Sequence, residues 1–154
     1  MSAAIPAPLT NDAAALMRRW FQEVWNEGKE ATIDEMFGAD SVMWGVNRPD
    51  VASRGPAEFR EFYDAMRKTF SDMHIELEGI VQEGDTAFTR FTVTAKHSGD
   101  GMGMAPSGKT IKLVGMCALR AENGKIVEGW NVWDQIGLAR ELGALGPQAL
   151  AMFP

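Results

Sequence analysis

The chain predicts an α+β fold in which a strongly curved antiparallel sheet wraps against about three N-terminal helices. Apolar residues recur at helical spacing through most of the first half, as in Leu16, Met17, Trp20, Phe21 and Val24, and again in Phe59, Phe62, Tyr63, Met66 and Phe70. From Met73 onward the pattern changes to period-two alternation broken by turn signals at Glu83-Gly84-Asp85 and Asn123-Gly124. No internal repeat or linker interrupts this order of helices followed by strands, so one layered domain accounts for the pattern. A length of 154 residues is enough for one full core and too short for two.

The elements follow in order. Residues 1–11 are rich in small residues and contain Pro6 and Pro8, with too little to bury, and read as a flexible arm. Residues 12–143 form the domain. An amphipathic helix runs from Asp12 to Asn26 and stops at Gly28, and a short one runs from Thr32 to Phe37 and stops at Gly38. Ser41 to Gly45 is a brief strand, and the polar stretch Val46 to Ser53 is a loop placed to act as a lid. Pro56 opens the third helix at its first position, where the missing N–H costs nothing. Strands follow over Met73–Gln82, Thr86–His97, Lys109–Arg120 and Lys125–Trp133, with a glycine-rich loop over 98–108 and a short helix from Gln135. The tail, 144–154, is apolar for a terminus and is suited to packing on a partner subunit.

Composition excludes several function classes. With 15 Lys and Arg against 21 Asp and Glu the net charge is -6, and no basic run exceeds Arg18-Arg19, which argues against a nucleic-acid surface. The single cysteine, Cys117, lies in an apolar strand pattern and reads as a buried thiol in a reducing compartment. No signal-peptide pattern opens the chain and no run approaches ~20 apolar residues, so the expected location is cytoplasmic, with no membrane partner. No His/Cys/carboxylate cluster has metal spacing, and neither a phosphate-binding glycine turn nor a nucleophile elbow is present, so no metal or other cofactor is expected.

The chemistry-bearing stretch is Glu122 to Gly143. Strand parity places Ile126, Glu128, Trp130, Val132 and Asp134 on one face and Val127, Gly129, Asn131 and Trp133 on the other. A carboxylate in line with an indole and two aliphatics needs a hydrogen bond, a proton or a pocket. That makes Asp134 the first catalytic candidate, beside the plainer role of N-cap for the helix at Gln135. On the strand before the glycine-rich loop, parity groups His97 with Thr89, Phe91, Val93 and Ala95. An imidazole there is a candidate acid–base or ligand-touching group, and equally a side chain closing hydrogen bonds at the loop.

The runs GKIVEGWNVWDQIGLARELG and AKHSGDGMGMAPSGKTIKLVGMCALRAENGK resemble the SnoaL-like polyketide (ester) cyclases of the ketosteroid-isomerase and nuclear-transport-factor-2-like superfamily. The likeness extends from Ala13 to Gly143, and its strongest parts are His97-Ser98-Gly99, Pro106-Ser107-Gly108-Lys109 and the Trp130-x-x-x-Asp134 spacing. The resemblance implies a cone whose interior is a pocket between sheet and helices, and a homodimer built on the outer sheet face. It also implies an aspartate acting as general acid and base, carried over to Asp134, with His97 filling a histidine's place by chemistry. The first-helix tyrosine and first-strand base of a ketosteroid isomerase are missing at Phe21 and Val42-Met43-Trp44, and Arg90-Phe91-Thr92 lacks the acid of a limonene-type epoxide hydrolase.

The expected pocket walls are Trp20, Phe21, Trp44, Phe62, Met104, Met116 and Trp130, which suit a small hydrophobic, polyketide-like molecule. Arg120 either clamps an anionic substituent or pairs with Glu122. The expected activity is cyclase- or isomerase-like proton transfer alpha to a carbonyl, with a non-catalytic hydrophobic-ligand-binding module as the alternative. A homodimer is also expected from the residues themselves, because the last two strands are apolar on both faces, with Val127 and Trp133 on one and Trp130 and Val132 on the other.

Overall fold

The computed structural model describes residues 12–48 and 50–152; the N-terminal arm expected over 1–11 lies outside the described residues. Helix α1 (Ala13–Arg19) is capped by Asp12, whose Oδ1 accepts from the N–H of Ala15 at 2.9 Å. The predicted continuation to Asn26 is helical, but Trp20–Asn26 is π-helical, with the N–H of Glu27 reaching the carbonyl of Gln22 at 2.9 Å. Trp20, Phe21, Val24 and Trp25 are all buried by this wider turn. Its end is pinned to the sheet by Asn26, whose Nδ2 donates to the Ile75 carbonyl at 2.9 Å and whose Oδ1 accepts from the Ile75 N–H at 2.7 Å.

Helix α2 (Ala31–Met36) runs directly into β1 (Phe37–Trp44), which begins earlier than the sequence pattern indicated. The segment expected as a polar loop contains a short strand, β2 (Ala52–Arg54), paired antiparallel to β1. Helix α3 (Gly55–Thr69) buries Phe59 and Tyr63 and passes into β3 (Phe70–Glu83). Strands β4 (Thr86–His97), β5 (Thr110–Glu122) and β6 (Lys125–Trp133) follow the predicted spans closely, and α4 (Gln135–Glu141) and α5 (Pro147–Met152) end the chain. The apolar tail is thus partly a helix with no buried residue.

The sheet is six-stranded, ordered β2-β1-β6-β5-β4-β3, curved and not closed into a barrel, so the α+β expectation holds. Its one parallel pair joins β1 to β6, a neighbour relation that separation in sequence conceals. The inner face of β4 carries Ala87, Thr89, Phe91, Val93, Ala95 and His97, and that of β5 carries Ile111, Leu113, Gly115, Cys117 and Leu119. Helices α1 and α3 cover this face, and the core forms between them.

Strict parity fails on β6. The pairing steps from Arg120↔Glu128 to Ala121↔Ile126, leaving Val127 as the extra residue of a β-bulge. Ile126 therefore enters the core with 0% exposure, while Trp130 and Val132 stand on the opposite, solvent-facing side.

Candidate functional site

The half-open cavity between helices and sheet has a volume of about 100 Å³, room for several waters or for a small fused-ring compound in their place. The π-helical turn supplies Trp20, Phe21 and Trp25 as one wall, and α3 adds Phe59, Phe62 and Met66. The sheet supplies Phe91, Val93 and Ala95 from β4, Leu113 from β5, and Asn131 and Trp133 from β6, while Leu138 of α4 closes the end. Gly115 leaves space for the Phe91 ring, since a Cβ there would lie 2.4 Å from its Cζ. No lining side chain is ionisable, so an apolar ligand meets no buried charge.

Asn131 is the one amide in this lining, and its Nδ2 donates to the Trp44 carbonyl at 3.2 Å. That contact requires β1 to end against β6, and Gly45 permits it: with φ +76 and an ideal Cβ only 2.0 Å from the Asn131 carbonyl, no other residue fits without displacement. Trp133 is fixed in the same way, its Nε1 donating to the Val46 carbonyl at 3.1 Å.

Of the residues expected to line the pocket, Trp20, Phe21 and Phe62 do so. Trp44, Met116, Arg120 and Trp130 do not: they belong to the outer sheet face. Met116 is 48% and Trp130 39% exposed. Trp44 Nε1 donates to Glu128 Oε1 at 3.3 Å, and Arg120 lies 3.7 Å from both Glu122 and Glu128, a surface pairing and not an anion clamp. Met104 sits in the glycine-rich loop outside the lining.

Asp134 is exposed, with its backbone N–H bonded to the Val114 carbonyl at 3.1 Å and its Oδ1 accepting from the Gly137 N–H at 2.7 Å. It caps α4 immediately beyond the end of β6. His97 is on the inner face with 0% exposure, and its Nδ1 accepts from the Ser107 N–H at 3.2 Å and lies 2.9 Å from Ser107 Oγ. An accepting Nδ1 places the ring hydrogen of the neutral imidazole on Nε2, which is buried without a hydrogen-bond partner. The histidine closes the 98–108 loop, whose ends also meet through the Gly108 N–H and His97 carbonyl at 2.9 Å.

The structure does not bring Asp134 and His97 together. Asp134 lies just past the end of β6, opposite Val114, and His97 at the end of β4, opposite Lys109, a separation of roughly 17 Å along the strand direction at ~3.4 Å per residue. His74 is exposed, and Cys117 is buried on the inner face, where burial pushes its thiol up to about 12.

Sequence reasoning passed over Asn131, Trp133, Trp25 and Leu113 as site residues. The usable signal was the register between the last two strands: Asn131 lies opposite Cys117 and Trp133 opposite Gly115, a small buried pair on an otherwise bulky strand.

A family model described as SnoaL-like polyketide cyclase matches residues 15–142. The chain is similar to the aklanonic acid methyl ester cyclase AcmA of Streptomyces galilaeus, at 27% identity over 139 residues, covering 90% of this chain and 95% of that protein. Among solved structures it is similar to AclR of the same organism, a candidate hydroxylase, with 29% identity and a TM-score of 0.77 over 88% of this chain and 98% of that one. A SnoaL-like protein from Jannaschia sp. CCS1 shares the fold at a TM-score of 0.80 and 17% identity, covering 94% of this chain and 100% of that chain.

Proposed function

Because the chain belongs to the SnoaL-like polyketide cyclase family, we propose that it takes a small hydrophobic, polyketide-like carbonyl compound into this cavity and promotes aldol-type ring closure or isomerisation there, without metal or nucleotide. The observation that carries the reading is the cavity itself, whose walls are apolar apart from indole N–H groups and one fixed amide. Such a site folds a flexible chain so that its reacting carbons meet, and excludes the water that would compete. The name of the similar AcmA supplies a trial substrate, aklanonic acid methyl ester.

Ring closure needs a proton removed alpha to a carbonyl, and a base must reach that proton within hydrogen-bond distance. Asp134 follows the cavity-lining Trp133 directly and serves only if its carboxylate leaves the Gly137 N–H. The second reading, a non-catalytic binding module, is favoured by the lack of any ionisable side chain in the lining. Asp134→Asn separates the two, because asparagine still caps α4. If Asp134 moves the proton, turnover falls on the order of 10²-fold with binding retained. Unchanged turnover removes Asp134 from the chemistry, and binding without turnover in the unsubstituted protein selects the binding module.

The outer face is assigned to a homodimer. Val132 is 70% exposed beside Met116 and Trp130, an apolar surface on the side away from the helices. The cytoplasm remains the proposed location, on the strength of the lone buried Cys117. No helix among the described residues is long and apolar enough to cross a membrane.

A further inference from the structure

We infer that Asn131 is the residue that selects the ligand, and that it selects one carrying a phenolic or enolic hydroxyl. The inference rests on the reading that the cavity holds a hydrophobic ligand, and deepens it. The bond to the Trp44 carbonyl can be made only by the amide nitrogen, so the orientation of the amide is set: Nδ2 faces β1 and, among the described residues, no donor reaches Oδ1. The other polar atoms of the lining side chains are indole N–H groups, which only donate, apart from the weakly accepting methionine sulfurs. Trp133 has already spent its N–H on the Val46 carbonyl. Oδ1 is therefore the one strong acceptor among the described side chains that line the cavity.

An acceptor fixed on an apolar wall discriminates between ligands of equal size. A hydroxyl directed at Oδ1 completes the bond, whereas an ether or ketone oxygen at the same place faces another lone pair and leaves Oδ1 unpaired. The consequence for a 1,3-dicarbonyl compound is a preference for the enol, which has an O–H, over the diketone, which has none. The amide is neutral and held from behind, so it offers this bond without bringing a charge into the cavity.

The test compares 2-naphthol with 2-methoxynaphthalene, which match in ring and oxygen position and differ in the hydroxyl hydrogen, by calorimetric titration of the unsubstituted protein, Asn131→Leu and Asn131→Ser. The expected result is that 2-naphthol binds about five- to tenfold more tightly to the unsubstituted protein, in line with one hydrogen bond. The ratio should fall towards one in Asn131→Leu, and the Asn131 side-chain amide resonances should shift with 2-naphthol and not with the ether. Asn131→Ser, smaller and less disturbing to β6, should also lose most of the preference. Equal binding of the two probes, a preference that persists in both variants, or unmoved amide resonances would overturn the inference while leaving the cavity reading intact. Failure of both probes to bind would overturn the cavity reading and this inference with it. If neither variant folds, the probe ratio and the amide resonances of the unsubstituted protein decide the matter.

Discussion

The two faces of β5 and β6 are both apolar, yet they have opposite fates. The inner face, with Leu113, Cys117, Leu119 and Trp133, meets helices and encloses a cavity; the outer face, with Met116, Trp130 and Val132, meets solvent. Hydrophobic alternation reports that a face needs covering and does not report by what. Helices of the same chain cover the inner face, whereas none of the described residues covers Met116, Trp130 and Val132 on the outer one. For the same reason apolar character alone could not tell cavity walls from an exposed apolar surface, and Met116 and Trp130, expected in the cavity, lie on the exposed side.

Breaking each face separately sharpens the contrast. Phe59, 1% exposed and in ring contact with Trp20, Trp25, Phe37 and Phe62, anchors the covered face. Phe59→Ala should cost about 3 to 5 kcal/mol in urea unfolding. Val132→Glu on the open face should leave the secondary structure intact and abolish association in a sedimentation experiment. A dimer that survives Val132→Glu would show that the partner binds elsewhere.

At the junction of the two faces, Asp134→Ala should lower stability by roughly 0.5 to 2 kcal/mol through loss of the α4 cap. The smallest effect expected lies on the helical cover, where the Arg60 guanidinium beside Asp34 holds that carboxyl below its ordinary value. A lowered folded-state value gives stability that is complete above the unfolded-state value of about 3.9 and is lost as pH falls through the folded one. Arg60→Gln should therefore flatten the acid limb of the stability profile below about pH 4. An unchanged limb would show that the exposed pair contributes nothing measurable.

Much of the architecture was legible. Helical spacing, the Asn123-Gly124 turn and period-two alternation located the long elements and the class of fold, because each depends on neighbours in sequence. The π-helical turn at Trp20 was not legible, since the wider turn is decided by packing against β3 through Asn26 and Ile75. The parallel pairing of β1 with β6 depends on contacts remote in sequence. The candidate site was read less well, in part because of one local irregularity. The bulge at Val127 shifts the parity of β6, so Ile126 and Trp130, grouped together by counting, end on opposite faces. Asn131, on the side not favoured by that count, is the polar side chain that reaches the cavity.

The central claim is that the covered face and not the open one holds the ligand. The most direct measurement is the affinity for 2-naphthol of Val93→Trp, which puts an indole into the cavity, beside Met116→Trp, which puts the same group on the outer face. The account predicts that Val93→Trp abolishes binding while the protein stays folded, and that Met116→Trp binds as the unsubstituted protein does. Binding retained in folded Val93→Trp and lost in Met116→Trp would contradict it.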